Sequence, residues 1–580
     1  MKEKILNFLK SNIFFSVVLN IIILAFCIAV TSFSYDNMND FYDSIYICQH
    51  HNYYSHILNY ILTTIVGSIQ YVFTDINCYV LSQVLLSCTA FISITYVLAD
   101  KFGKKKSLAM SLLLNILFDT NHYADIQSNK TAAILLAAGF LLALNAIRNK
   151  RYNLSCWIGV AETALGSFYS YKYFFIALLF AIAFFAADMI SKRKYKIKFR
   201  KFFWYFRPFL LLFAFITLVT VGLYNFSYSV NHATQDAANY YEYSVLNDKI
   251  NNLPYPDYAE YEERFNEVGI ANENDYYLLK NGYFDNDRSL NLGALKLVAQ
   301  IQSEENDANL MFAAGNIFTD FADHITGFDC WAIMNLLLLV ISIIYIIVHK
   351  KRFAFFPVFY FAAAFISSIC LRILFSGSSY LIYGLWLMMY VFLLYSFDFE
   401  NQKPKKATPI LRMKGSNMFI ASISLLCLFA VNCIVFQANY EAPSAKNAPN
   451  SLYTEIDRHP DRYYVLDTVT ANEFMKYTEN YLHPMWGFRP TFLDNVDGFG
   501  YYHNYEELRS RNLPDNIYEA ILSDNKVYVV DKYITFRKEK YFSNNYSTQD
   551  APAVYNQVKD INGYKIYEVT ANNNKLTNIN

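Results

Sequence analysis

What most constrains the fold of this chain is an alternation. Apolar runs close to the length of a membrane helix are separated by loops, and basic clusters recur at every second loop. A membrane helix needs roughly 20 apolar residues, and about eleven segments meet or approach that requirement. They run near 13–33, 77–98, 107–119, 131–147, 153–170, 173–190, 205–226, 328–348, 353–375, 379–397 and 418–437. A chain that is 54% hydrophobic and 18% aromatic cannot hide so much apolar surface in one soluble core. The expected fold is a polytopic α-helical membrane protein. The first run follows MKEKILNFLK, exceeds a signal-peptide apolar region and has no A-x-A site after it, so an anchoring first span is expected.

The basic clusters give an expected orientation, because lysine and arginine in short loops are retained on the cytoplasmic side. They are MKEK, KFGKKK (101–106), RNKR (148–151), SKRKYKIKFRK (191–201), HKKR (349–352) and KPKKATPILRMK (403–414). With the N-terminus inside and an odd number of spans, four regions share the outer face: the loop at 34–51, the loop at 119–130, the region 227–325 and the C-terminal tail. The tract 52–76 is apolar, dotted with Asn, His, Gln and Tyr and not flanked by Lys or Arg, which suits an amphipathic helix at the outer interface. Four parts are expected: a transmembrane module at 1–226 with acidic outer loops, an extracytoplasmic helical insert at 227–326, further transmembrane helices at 327–437, and an extracytoplasmic soluble domain at 438–580. In that last part RYYVLDT, NKVYVVD and YKIYEVT read as strands, while NEFMKYTENYL and NYEELRSRN read as helices, so it is expected to be α/β or α+β.

Lysine plus arginine equals aspartate plus glutamate, 49 each, so no net basic surface points to nucleic acid. The nine cysteines lie mostly within apolar runs, with no C-x-x-C pair or zinc spacing. No Walker loop, G-x-G-x-x-G, H-E-x-x-H or nucleophile elbow is present.

The stretch SYDNMNDFYDSIYICQHH (34–51) places Asp36, Asp40 and Asp43 at i, i+4 and i+7, which a helix would bring to one face. Grouped carboxylates raise the pKa of at least one member unless a cation offsets them. Solvation of a polar loop is the plain alternative. A metal site using His50, His51 or His56 lacks a fixed ligand set. The next outer loop, LFDTNHYADIQSNKT, offers Asp119, His122, Asp125 and Lys130. Lys172 and Arg372 fall near outer ends of spans, where they either snorkel to the interface or pair with a phosphate. Glu162 is an acid within a span, a position that usually faces a bundle interior.

Taken together, NDFYD (39–43), DTNHYAD (119–125), Lys172 and Arg372 resemble the GT-C superfamily of membrane glycosyltransferases. NENDYYLLKNGYF (272–284), DNKVYVVD and INGYKIYEV more narrowly resemble multi-pass proteins of bacterial surface-polysaccharide gene sets. The resemblance implies a GT-C-like fold in the bacterial plasma membrane. It also implies inverting transfer of a hexosyl or pentosyl group from a polyprenyl-phosphate donor to a cell-envelope glycan or lipid-linked acceptor on the outer face. Asp40 matches the catalytic acid, with Asp36 or Asp43 as its partner, since Asn39 stands where related enzymes often carry a second acid. Asp119, Asp125 and His122 are implied as acceptor or metal helpers, and Arg372 and Lys172 as partners of the lipid phosphate. A divalent cation, Mg or Mn, is the cofactor the resemblance leaves room for; the residues themselves define no metal site. Two other readings stand beside this one: a polysaccharide or lipid transporter or flippase that depends on Glu162, and a glycan polymerase that uses outer arginines.

Overall fold

The computed structural model describes residues 9–307, 355–375, 382–397, 451–471, 496–498, 505–546 and 553–570, apart from short breaks within them, together with residues 336, 340 and 343. The chain divides into two compact units, one formed by residues 1–73, 78–233 and 310–442, the other by 74–77, 234–309 and 443–580.

The first unit is helical. Its elements are α1 (Asn12–Val30), α2 (Met38–Cys48), α3 (Tyr60–Gln70), α4 (Cys78–Phe102), α5 (Lys104–Leu114), α6 (Thr120–Ala124), α7 (Ser128–Arg148), α8 (Leu154–Tyr169), α9 (Tyr171–Lys192), α10 (Phe199–Asn231), α11 (Phe355–Phe375) and α12 (Ile382–Ser396). Five of them, α1, α4, α7, α9 and α10, contain stretches long and apolar enough to cross a membrane. The sequence suggests about eleven such segments; among the described residues five are shown. The helix expected at 153–170 is described over the 16 residues Leu154–Tyr169, and the apolar helices α11 and α12 are described over Phe355–Phe375 and Ile382–Ser396. The segment expected at 107–119 is not one α-helix, since α5 gives way to a π turn over Asn115–Asp119 before α6. The segments expected at 328–348 and 418–437 lie largely or wholly outside the described residues.

The helix α7 forms the middle of this unit. Its sequence is apolar on all sides, which favours burial all round, and every residue from Thr131 to Ile147 is buried. It touches α8 almost backbone to backbone. A side-chain carbon on Gly159 would stand 2.8 Å from Gly139 O and 2.9 Å from Ala143 N, so glycine here permits the approach. Phe180, Phe184, Tyr360, Phe392 and Tyr395 interlock α9, α11 and α12 through ring contacts of about 6 Å.

Basic residues of three helices meet at one end of the bundle, with Asp100 and Asp188 beside them. Gly103, at φ 77, turns α4 back into α5, and around this turn Lys104 Nζ donates to Lys10 O at 2.6 Å while Lys101 lies over the Tyr395 ring. Arg148, closing α7, faces the same ring. Basic residues from α4, α5 and α7 thus gather at one end, whereas α2, the start of α4 and the start of α7 meet at the other.

The second unit joins two stretches that the sequence reading treats as separate. Helices Gln235–Asn251, Glu262–Glu267, Glu273–Lys280 and Leu292–Asp307 come from the insert. From the tail comes a five-stranded sheet of β3 (Tyr463–Leu466), β4 (Val496–Gly498), β5 (Val527–Asp531), β6 (Val554–Ile561) and β7 (Tyr564–Thr570), in the order β4-β3-β5-β7-β6. β4, β3 and β5 run parallel, and β7 pairs antiparallel with both β5 and β6. All four residues of β3 are buried, as expected of a strand that reads YYVL without alternation. The β6–β7 hairpin turns on Asn562 and Gly563, both at positive φ, the Asn-Gly pair that suits a tight hairpin turn. Phe265, Leu278, Tyr283, Leu290 and Val298 from the insert share one core with Tyr463, Leu508, Tyr518, Val529 and Tyr541 from the tail. The helix expected at NEFMKYTENYL lies outside the described residues.

Candidate functional site: a seam between two acidic loops

Two residues of strand tie the acidic loops of the first unit together. β1 (Ser34–Tyr35) pairs in parallel with β2 (Asp125–Ile126), setting Ser34 opposite Asp125 and Tyr35 opposite Ile126. Loops separated by some ninety residues in the chain are thereby brought into register.

Asp40 lies at this seam, in the first turn of α2, and is only 2% exposed. Its Oδ1 accepts a hydrogen bond from Tyr79 Oη at 2.7 Å and another from the Ser128 backbone N–H at 2.9 Å. Ser128 opens α7, so that N–H is one of the donors a helix N-terminus leaves without an intrahelical partner, and the helix dipole favours an anion there. Both bonds fix the orientation of the carboxyl group. Asp43, one turn further on and half-buried, joins Asp40 within electrostatic reach of Tyr79. Asp36 lies outside the described residues, so the three-carboxylate face is represented by Asp40 and Asp43 alone.

Asp119 and His122 flank the junction between the π turn and α6. Asp119 is fully buried beside Tyr123, Cys88, Cys27 and Tyr383, and neither carboxylate oxygen makes a well-formed hydrogen bond. The His122 ring stands 3.2 Å from Thr131 Oγ1, which in turn donates to Gln83 Oε1 at 2.9 Å. Burial first, then the nearby positive charge of Lys130, holds His122 down to about 3, so the ring is neutral at physiological pH and has no acidic proton to give. Asp125 is half-buried, its carbonyl accepting from Lys130 Nζ at 3.2 Å, and that ammonium also lies 5.6 Å from the Tyr383 ring.

The implied phosphate partners are less completely seen. Lys172 is half-buried in the first turn of α9. Tyr169, three residues earlier, lies within electrostatic reach of Asp40 and hydrogen-bonds Ser82 at 2.6 Å. Arg372 belongs to α11 near its C-terminal end, and its side chain lies outside the described residues. Among the described residues, no three His, Cys, Asp or Glu side chains stand close enough together to hold a metal ion.

Residues that the motifs pass over accompany those they name. Tyr79, Ser82, Gln83 and Ser87 lie on α4, and on the opposing arm of the hairpin Ser111 and Asn115 precede Asp119, which the sequence already offers, at four-residue intervals. Side-chain atoms of Gln83, Ser87, Ser111, Asn115 and Asp119 are buried without a hydrogen-bond partner. Polar residues spaced i, i+4 inside an apolar run were the available signal. Away from the seam, Glu162 is also buried, and Ser93 Oγ donates to its Oε1 at 2.6 Å while Oε2 has no partner.

Comparison of the chain with protein-family models, with curated proteins and with solved structures gives no match.

Proposed function

We propose that the protein is a membrane glycosyltransferase of the GT-C kind, which moves a hexosyl or pentosyl group from a polyprenyl-phosphate carrier to a cell-envelope glycan or lipid-linked acceptor at the outer face of the bacterial plasma membrane. The supporting observation is the placement of Asp40: a buried carboxyl group, oriented by Tyr79 and the Ser128 N–H, where two acidic loops meet at the end of the bundle away from the basic clusters. In such a reaction a carboxylate within hydrogen-bond reach removes the acceptor's proton as the anomeric bond breaks. Cations stabilise the charge that develops on the departing phosphate.

In this reading Asp40 is the base, with Asp36 or Asp43 beside it. Asp125, Asp119 and His122 position the acceptor, His122 as a neutral hydrogen-bonding ring. Lys172 and Arg372 meet the lipid phosphate. The decisive substitution is Asp40→Asn, which keeps an oxygen to accept from Tyr79 and Ser128 but loses the basic site. Transfer from radiolabelled polyprenyl-phosphate sugars in membranes should fall at least a hundredfold, the lower end of what acid–base groups contribute, roughly 10²–10⁴, while insertion and yield stay unchanged. Undiminished transfer would sink the assignment.

The buried Glu162, with one oxygen lacking a donor, favours a second reading as a transporter or flippase. Under that reading Glu162→Gln stops translocation of lipid-linked sugar in vesicles and Asp40→Asn leaves it intact.

A further inference from the structure

In the second unit the parallel strands β3 and β5 end side by side on two acids. Asp467 follows the last residue of β3 and Asp531 is the last residue of β5. Lys538, in the first turn of α13 (Thr535–Tyr546), ion-pairs with both of them. The three side chains are 1%, 0% and 0% exposed. Removing charges from water is costly unless they are matched, and here one ammonium serves two carboxylates.

The two acids are unequal. Asp467 also accepts from the Thr470 N–H at 2.7 Å and the Thr470 hydroxyl at 3.2 Å. Asp531 keeps an oxygen, Oδ2, that is buried without a hydrogen bond, and its carboxyl lies within hydrogen-bonding reach of Asp467. Other groups bear on it as well. Tyr283 from the insert and Tyr555 from β6 lie within its electrostatic reach, and Lys565 is its partner across the β5–β7 pair. Both tyrosines are neutral at physiological pH, so they add no charge to balance the second acid.

We propose that this triad is a proton-linked switch: the folded second unit holds one proton on the Asp467–Asp531 pair, and its stability is tied to the pH of its surroundings. Burial, opposed by Lys538 and reinforced by the neighbouring Asp467, pushes Asp531 up to about 7. In the unfolded chain an aspartate titrates near ~3.9. A group raised on folding stabilises fully below its unfolded value and loses that contribution as pH rises through its folded value. The opening equilibrium of the unit therefore shifts toward open by about tenfold per pH unit between about 4 and 7, then levels off. The device is independent of the glycosyltransferase reading.

The test is hydrogen exchange on the full-length protein in lipid nanodiscs, following peptides that cover 527–546 at pH 5, 6, 7 and 8.5 after correction for intrinsic rates. Protection should drop about tenfold per unit from pH 5 to 7 and then flatten. Asp531→Asn, which reproduces the shape and donor of a protonated acid, should remove the slope while keeping the protection. An infrared carboxylic-acid band present at pH 6 in the wild type, lost by pH 8.5 and missing from Asp531→Asn gives a second reading. Protection without pH dependence in the wild type, a slope retained in Asp531→Asn, or absence of the acid band at pH 6 would each overturn the proposal.

Discussion

Asp40 illustrates what a single residue does and does not disclose. Its type and its place after an apolar run are legible in the sequence, and resemblance singles it out from Asp36 and Asp43. Its partners are not legible, because Tyr79 and Ser128 lie 39 and 88 residues away and no local pattern announces such contacts. Those partners lead to a prediction. In Tyr79→Phe the Asp40 Oδ1 loses one of these two donors in a site closed to water, and hydrogen bonds to charged groups are worth about 1.5–3 kcal/mol. The variant should melt earlier in detergent by an amount equivalent to about 2 kcal/mol. If the carboxylate is the reacting group, sugar transfer should fall as well, because its orientation loosens. An unchanged melting curve would mean that the Tyr79 hydroxyl contributes nothing to holding Asp40.

Among the elements, those built on strong local patterns were the readable ones. β3, β5 and β7 coincide with the runs RYYVLDT, NKVYVVD and YKIYEVT, since buried β-branched and aromatic residues leave little choice of state. β6, VYNQVKDI, has an exposed and largely polar edge pattern, and β4 has only three residues; neither carries a periodic signal. The count of about eleven spans goes beyond the five that the described residues show, because apolar composition alone does not separate a helix that crosses from one packed within the bundle. The α7–α8 contact gives a prediction at this scale. In Gly159→Ala the new carbon would meet Gly139 O and Ala143 N, backbone atoms at 2.8 and 2.9 Å, which a side-chain rotation cannot relieve. Overpacking of this kind costs about 1–3 kcal/mol, so the yield of monodisperse protein after heating in detergent should fall clearly. The same change at Gly222, where a side-chain carbon would meet nothing within 4 Å, should leave that yield unaltered.

At the scale of the molecule, the insert and the tail form one unit although α11 and α12 lie between them in the chain. Length and composition suggested two outer pieces, because a sequence read in order has no means of showing that two polar regions complete each other's core. Asp287 displays the junction. From the insert it accepts hydrogen bonds from Tyr541 Oη at 2.5 Å, Tyr546 Oη at 2.6 Å and Asn516 Nδ2 at 3.3 Å, all in the tail. Removing the carboxylate leaves buried or half-buried donors without an acceptor, at about 1–3 kcal/mol for each such group. If insert and tail fold as one cooperative unit, that loss cannot stay local. Asp287→Ala should therefore accelerate hydrogen exchange by the same factor in peptides from 292–307 and from 517–546, and the two should respond in parallel to added urea. Faster exchange confined to either stretch would show that the shared core does not make them a single folding unit, and the insert would then have to be treated as a domain of its own.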